Sequence, residues 1–201
     1  MLSSRVIQWS GPLLILGGTL WVAWAVVHAL QPMGCVGDEC DLPGRSMREG
    51  SALGSALLIA AVLALVVGVW GLVSRARAMG GFGTLGSVGL IAITTGVVTV
   101  VIASFVQGIF YNGDFGAMPY FVIPAALALV VGFVLLGVAI LRSGVLPRWA
   151  ASLLIIATLT MLGMNEQNTW VLMAIPFGVT WALIGYVLWS RRDERRATHA
   201  Q

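Results

Sequence analysis

Apolar residues along this chain collect in six long runs that short polar connections separate. A helix needs about 20 apolar residues to cross a hydrocarbon core of roughly 30 Å, so the pattern predicts six transmembrane helices. The third run is longer than this and should tilt, while the fifth is short and should require local thinning of the bilayer. The six runs, which contain no Asp, Glu, Lys or Arg, are Pro12–Leu30, Ser51–Val73, Phe82–Phe110, Tyr120–Leu141, Trp149–Met164 and Thr169–Ser190.

Composition supports the same class of protein. Hydrophobic residues make up 59% of the 201 residues and charged residues 9%, against about 25% charged in a soluble domain. The first run has 19 residues, which is long for the core of a signal peptide, so we expect a retained helix. We therefore predict one integral membrane domain over residues 1–201, an all-α bundle of six transmembrane helices.

The arginines are concentrated in alternate connections between the runs. Nine arginines precede the first run or follow the second, fourth and sixth, and two lie in the connection over residues 31–50. By the positive-inside rule, both termini are predicted in the cytoplasm and loop 31–50 outside a cell (inner) membrane. The net charge of +3 comes from arginines beside apolar runs, which suit anionic lipid headgroups and do not imply nucleic acid. The acids on the opposite side are Asp38, Glu39, Asp41, Glu49, Asp114 and Glu166.

A hexapeptide occurs twice. Leu63–Gly68 and Leu127–Gly132 share the sequence Leu-Ala-Leu-Val-Val-Gly, each in an even-numbered run, and Ile123-Pro124 is mirrored by Ile175-Pro176. Three tandem helical hairpins would produce this pattern. Chance matching between helices made of few residue types would also produce it.

Glycine is frequent, with 25 residues. Small residues let helix backbones approach closely in lipid. Gly50 and Gly54 have the four-residue spacing of a close-contact face, and further glycines crowd the start of the third run. Packing within the chain and a face for a second copy both fit this spacing, so a homo-oligomer or a membrane-protein partner stays open.

Cys35 and Cys40 are the two cysteines of the chain, and both lie in the loop predicted to be outside. We expect a structural disulfide there because that compartment is oxidising. Redox catalysis and metal binding are the alternatives, although a catalytic pair favours Cys-X-X-Cys and the neighbouring acids would raise the thiol pKa. The acids of this loop could also hold a hard cation, but calcium-loop spacing is absent and Arg45 and Arg48 can neutralise them. No metal site is predicted.

Polar residues in and near the runs concentrate toward the predicted outer side. His28 and Gln107 lie farthest into their runs, and we expect the first and third helices to be adjacent there. Such a cluster could bind a small polar ligand or a lipid headgroup, or it could bond across helices as structure. The candidate ligand-binding residues are His28, Gln107, Tyr111, Asp114 and Glu166.

Several functions are disfavoured by residues that are missing. The chain has no Lys, which excludes a Schiff-base cofactor, and the apolar runs carry no carboxylate for a proton relay. Phosphate loops and nucleophile elbows are also missing. No cofactor and no catalytic residue are predicted.

Residues Leu141–Trp149 read Leu-Arg-Ser-Gly-Val-Leu-Pro-Arg-Trp. This segment resembles the cytoplasmic turn of small, uncharacterised multi-pass membrane proteins of actinobacteria and other high-GC prokaryotes. The resemblance implies a bacterial-type membrane protein and carries no functional residues.

The function expected from the sequence is a non-catalytic structural, accessory or lipid-interacting membrane protein, with membrane lipids as partners. Two alternatives remain at this stage. One is a small-solute transporter or channel with an outward-facing polar cavity, and the other is a membrane enzyme acting on a lipid or quinone at the outer interface.

Overall fold

A computed structural model describes residues 4–35, 40, 42–44, 46–48, 50–110 and 117–199. Every regular element in these ranges is helical, which confirms the predicted all-α class. Two short 3₁₀ segments, Met161–Gly163 and Thr169–Ala174, lie between the last two helices. The helices are α1 (Ser4–Ala29), α2 (Ala52–Ala78), α3 (Gly83–Phe110), α4 (Met118–Ser143), α5 (Arg148–Thr160) and α6 (Ile175–His199).

Five of the helical segments are long and apolar enough to cross a membrane, and the segment Arg148–Gly163 is apolar but shorter. Most helices extend beyond the apolar runs because intrahelical hydrogen bonding continues past the last apolar residue. Thus α1 begins before Pro12, and α2 continues through Arg75 and Arg77. The last two runs are helical over only part of their length: α5 ends at Thr160, before the end of the fifth run. The first six residues of the last run form a 3₁₀ segment, and α6 begins only at Ile175.

The helices pack in a chain of neighbours. Helix α1 packs against α2 and α6, α5 contacts both α6 and α4, and α3 packs along α4. The expected pairing of the first and third helices is not among the packed pairs that the described residues form. We call the end where α1 ends and α2 begins the disulfide end. We call the opposite end, where α2 and α4 end at Ala78 and Ser143, the arginine end.

Glycines form the contact between α1 and α6. A Cβ on Gly18 would overlap the carbonyl oxygen of Gly178, and a Cβ on Gly185 would stand 2.6 Å from the carbonyl oxygen of Gly11. These residues are seven apart on each helix, so both contacts lie on one face of two antiparallel helices. By contrast, the sequence pair Gly50 and Gly54 makes no such close approach. A Cβ on Gly50 would meet only Ser55 Oγ at 3.7 Å, and the nearest atom of another helix to a Cβ on Gly54 would be Trp24 Cδ1 at 4.0 Å.

The repeated hexapeptide has equivalent contacts in its two copies. Gly68 of α2 lies against Leu14 of α1, and Gly132 of α4 lies against Ile93 of α3. In each case the glycine faces the preceding helix. The third predicted hairpin, α5–α6, differs, because Gly178 and Gly185 of α6 face α1 and not α5.

The core lies mainly between α1, α2, α4, α5 and α6. Aromatic rings connect α4 to α6, with the Phe133 centroid 5.2 Å from that of Phe177 and 5.9 Å from that of Trp181. Trp181 is fully buried. The largest fully buried aliphatic residues of the core are Leu14, Leu72, Leu136, Ile140, Leu154 and Ile184.

Candidate functional site at the disulfide end

The first connection contains the predicted disulfide. Cys35 and Cys40 are bonded, with their Cα atoms 5.1 Å apart, and Cys35 is buried. The amide of Cys35 donates a hydrogen bond to the carbonyl of Ser46 at 3.1 Å. This bond fixes the disulfide to the segment that returns toward α2. The pairing predicted from the sequence is therefore confirmed.

Arg48 is the centre of the polar interactions at this end. Its Nε donates to the carbonyl of Pro32 at 2.8 Å, and its Nη2 donates to the carbonyl of Gln31 at 3.2 Å. Its Nη1 is 3.1 Å from the carbonyl oxygen of His28, which belongs to the last turn of α1. A guanidinium at this position satisfies terminal carbonyls and opposes the negative end of the helix dipole.

The same guanidinium also reaches the connection before α6. Its Nη1 is 2.9 Å from the carbonyl oxygen of Glu166 and 3.4 Å from that of Asn168. Two connections far apart in sequence, 31–50 and 164–168, are thereby joined through one side chain. We call Arg48 and these carbonyl acceptors the Arg48 clamp.

Gln167 adds two hydrogen bonds between the same two connections. Its side-chain Oε1 accepts the amide of Arg48 at 2.6 Å, and its carbonyl accepts the amide of Gly34 at 2.8 Å. A Cβ on Gly34 would overlap both the Arg48 amide nitrogen and Gln167 Oε1. Only glycine therefore permits this close approach of the two connections.

His28 belongs to the same arrangement. Its side chain is 7% exposed, and Nε2 lies 3.2 Å from the carbonyl oxygen of Glu166, to which it donates a hydrogen bond when that nitrogen carries the proton. Its ring is 5.8 Å from that of Trp24 on the preceding turn of α1. His28 thus fixes the end of α1 to the connection before α6.

The structure brings together part of the predicted cluster. His28 and Glu166 meet, but through the backbone carbonyl of Glu166, whose side chain is exposed. Gln107 is half-buried on α3, the helix that packs along α4. Tyr111 and Asp114 lie outside the described residues, as do Arg45 and the acids Asp38, Glu39, Asp41 and Glu49.

The sequence allowed Arg48 to neutralise the loop acids, and these acids lie outside the described residues, so that expectation stays a prediction. The structure directs all three of its guanidinium nitrogens to backbone carbonyls. No local motif reveals this role, because the acceptors lie 16 to 20 residues before Arg48 and 118 to 120 residues after it. Among the described residues, no three His, Cys, Asp or Glu side chains converge as metal ligands would.

Two open surface grooves accompany the bundle. One, of about 350 Å³, lies between α1 and α6 at Ile15, Leu16 and Trp189. The other, of about 450 Å³, lies beside the end of α5, where the Thr160 hydroxyl joins that helix to the carbonyl of Met173. The larger groove is lined by Thr160, Thr169, Trp170, Leu172, Met173 and Pro176.

Comparison with protein-family models, with curated proteins and with solved structures gives no match to this chain.

Proposed function

We propose that this chain is a non-catalytic integral membrane protein with an accessory or lipid-interacting role. In this proposal the arginine end faces the cytoplasm and loop 31–50 faces outward. The arginine distribution and the five long apolar helices support this orientation and placement. The tandem-hairpin origin is supported for α1–α2 and α3–α4 by the matched contacts of Gly68 and Gly132.

The observation that carries the proposal is the use made of polar side chains at the disulfide end. Arg48, His28 and Gln167 all bind backbone groups. Asn165 accepts the amide of Gln167 at 2.8 Å, and Asn168 accepts the amide of Trp170 at 2.8 Å. Groups engaged in this way stabilise the connections, whereas a polar ligand site requires donors and acceptors directed into a cavity.

The surface grooves support the lipid-interacting part of the role. Both are open and mainly apolar, and both lie on faces that acyl chains would cover in a membrane. Trp170 is exposed at the larger groove, beside the predicted outer interface, where tryptophan is favoured. A lipid chain suits such a surface better than a polar solute does.

Native mass spectrometry of the detergent-extracted protein tests the proposal. We expect phospholipid to be retained equally by the native chain and by His28→Leu. The substitution should reduce stability by about 1 kcal/mol, the scale of an interhelical hydrogen bond in a membrane. Gln107→Leu is the matched control, because it also replaces a polar residue by Leu but on α3, which packs along α4. A polar solute or quinone that co-purifies with the native chain and is lost in His28→Leu would contradict the structural role and favour a transporter or an enzyme.

Cysteine labelling of intact cells tests the orientation, in a background where Ser replaces both native cysteines. We expect single cysteines at Asp114 and Glu166 to react from outside, and cysteines at Arg77 and Arg142 to be protected. Reaction of the positions at Asp114 and Arg142 from the same side would refute the six-span arrangement.

A further inference from the structure

The two turns at the arginine end pack directly on each other. Gly81, in the turn between α2 and α3, has no room for a side chain, because a Cβ there would overlap the Cα of Ser143 at the end of α4. The next residue, Phe82, is buried in the core together with Val145 and Leu146 of the turn between α4 and α5. The two turns therefore form one surface, and we call residues 77–82 and 142–148 the paired turns.

Three exposed arginines lie at the ends of the paired turns in sequence. The guanidinium of Arg77 lies over the ring of Phe82, 5.2 Å from its centroid, which holds this charge beside the first turn. Arg142 directly precedes Ser143, and Arg148 follows the second turn as the first residue of α5. All three side chains are exposed.

The charged side chains around this surface are all positive. Segments 74–83 and 141–149 contain four arginines and no acid. The two acids predicted on this side, Asp193 and Glu194, belong to the end of α6, where four arginines flank them in sequence. Guanidinium groups bind phosphate oxygens through two parallel hydrogen bonds, and several on one surface favour a phosphate-bearing anion.

Trp149 indicates the depth of these charges. It follows Arg148 and is 54% exposed. Tryptophan favours the level of lipid headgroups, where its ring contacts acyl chains and its N–H reaches water. In the proposed membrane placement, these arginines lie at the level of the phospholipid phosphates.

We infer that the paired turns bind the headgroup of an anionic phospholipid, with Arg77, Arg142 and Arg148 as the recognition residues. This inference rests on the proposed lipid-interacting role and adds a lipid class and a location to it. Selectivity for anionic over zwitterionic lipid follows from charge, because choline would place a cation beside the arginines.

Native mass spectrometry with added lipid tests the inference. The purified protein is titrated with phosphatidylglycerol or with phosphatidylcholine carrying the same acyl chains. We expect phosphatidylglycerol to bind more tightly than phosphatidylcholine. The triple variant Arg77→Gln, Arg142→Gln, Arg148→Gln should bind phosphatidylglycerol about a hundredfold more weakly, because each arginine near a lipid surface contributes about 1 kcal/mol. The corresponding triple Lys variant should retain the preference.

A second triple variant controls for total charge. Arg191→Gln, Arg192→Gln and Arg195→Gln remove the same charge from the end of α6, and we expect little change in phosphatidylglycerol affinity. An equal loss in this control would refute the assignment to the paired turns, as would unchanged binding in the first triple variant. Competition by millimolar inorganic phosphate would also refute it, because the site would then take free phosphate.

Size-exclusion chromatography checks that the variants are folded. If the triple Gln variant does not fold, the single variant Arg142→Gln tests the inference. We expect it to lose about fivefold in phosphatidylglycerol affinity, which corresponds to about 1 kcal/mol for one arginine. Failure of this inference differs from failure of the proposed function, since the latter would appear as a His28-dependent ligand at the disulfide end.

Discussion

Two antiparallel helix pairs in this molecule use the same kind of glycine contact in different surroundings. The α1–α6 pair meets at Gly18 and Gly178, and the α3–α4 pair meets at Gly89 and Gly132. Within an 18-residue window of each span, half of the residues are buried in the last span, Thr169–Ser190, but only 17% are buried in the α3 span. Small residues therefore bring helices together in both pairs, while burial depends on how many other helices pack around each pair.

The proposed membrane placement gives this difference a physical origin. Lipid chains are as apolar as leucine, so an apolar helix face gains little hydrophobic free energy by leaving them. Val101, Phe105 and Ile109 of α3 are more than half exposed. In the proposed placement lipid chains cover these side chains, so their exposure costs little free energy. An apolar sequence thus predicts a membrane helix and does not distinguish a central helix from a peripheral one.

The largest effect is expected from Gly18→Leu in the central pair. Its Cβ would overlap the Gly178 carbonyl and stand 2.6 Å from the Ala182 amide nitrogen, so only separation of α1 from α6 makes room. We expect a loss of about 3 kcal/mol, measured as a lower melting temperature in detergent. Gly50→Leu is the control, because the space around that residue is open. Equal melting temperatures for the two variants would contradict the contact.

Arg48→Gln should have the next largest effect, about 2 to 3 kcal/mol, because it removes charge-assisted hydrogen bonds to backbone carbonyls. Hydrogen exchange should rise at residues 28–35 and 164–170 and stay unchanged in α3 and α4. Arg48→Lys retains the charge without the planar fork and should give an intermediate loss. Equal stability of Arg48→Gln and the native chain would exclude a role for the clamp in joining α1 to α6.

Gly132→Leu tests the peripheral pair. The added Cβ would stand 2.8 Å from both the Gly89 carbonyl oxygen and the Ile93 amide nitrogen, which displaces α3. We expect a loss of about 2 kcal/mol, with faster hydrogen exchange confined to α3 and α4. Faster exchange throughout α1 and α6 would show that the α3–α4 pair is as central as the other.

The smallest effect is expected from Cys35→Ser with Cys40→Ser. The disulfide closes a loop with a sequence separation of 5, for which the chain-entropy model gives about 2 kcal/mol. We expect a loss no larger than this, because the Arg48 clamp already holds both ends of the connection. The single Cys35→Ser variant should match the double variant in melting temperature, since one thiol cannot form the bond.

The sequence by itself determined the all-helical class, the approximate helix positions and the disulfide. Runs free of charge fix where helices can cross a membrane, because each charge in hydrocarbon is costly. Two cysteines five residues apart leave one pairing within the chain. These features depend on local composition or short separations, so no knowledge of packing was needed.

The tertiary structure alone decided which helices are neighbours and what the polar residues contact. The sequence favoured α1 beside α3 through His28 and Gln107, whereas α1 packs between α2 and α6. The acceptors of Arg48 include the carbonyl of Glu166, 118 residues away, which no sequence pattern indicated. Apolar helices of similar composition can pair in many ways in lipid, and backbone carbonyls are the same at every residue. Only the folded chain selects the helix pairs and the acceptors.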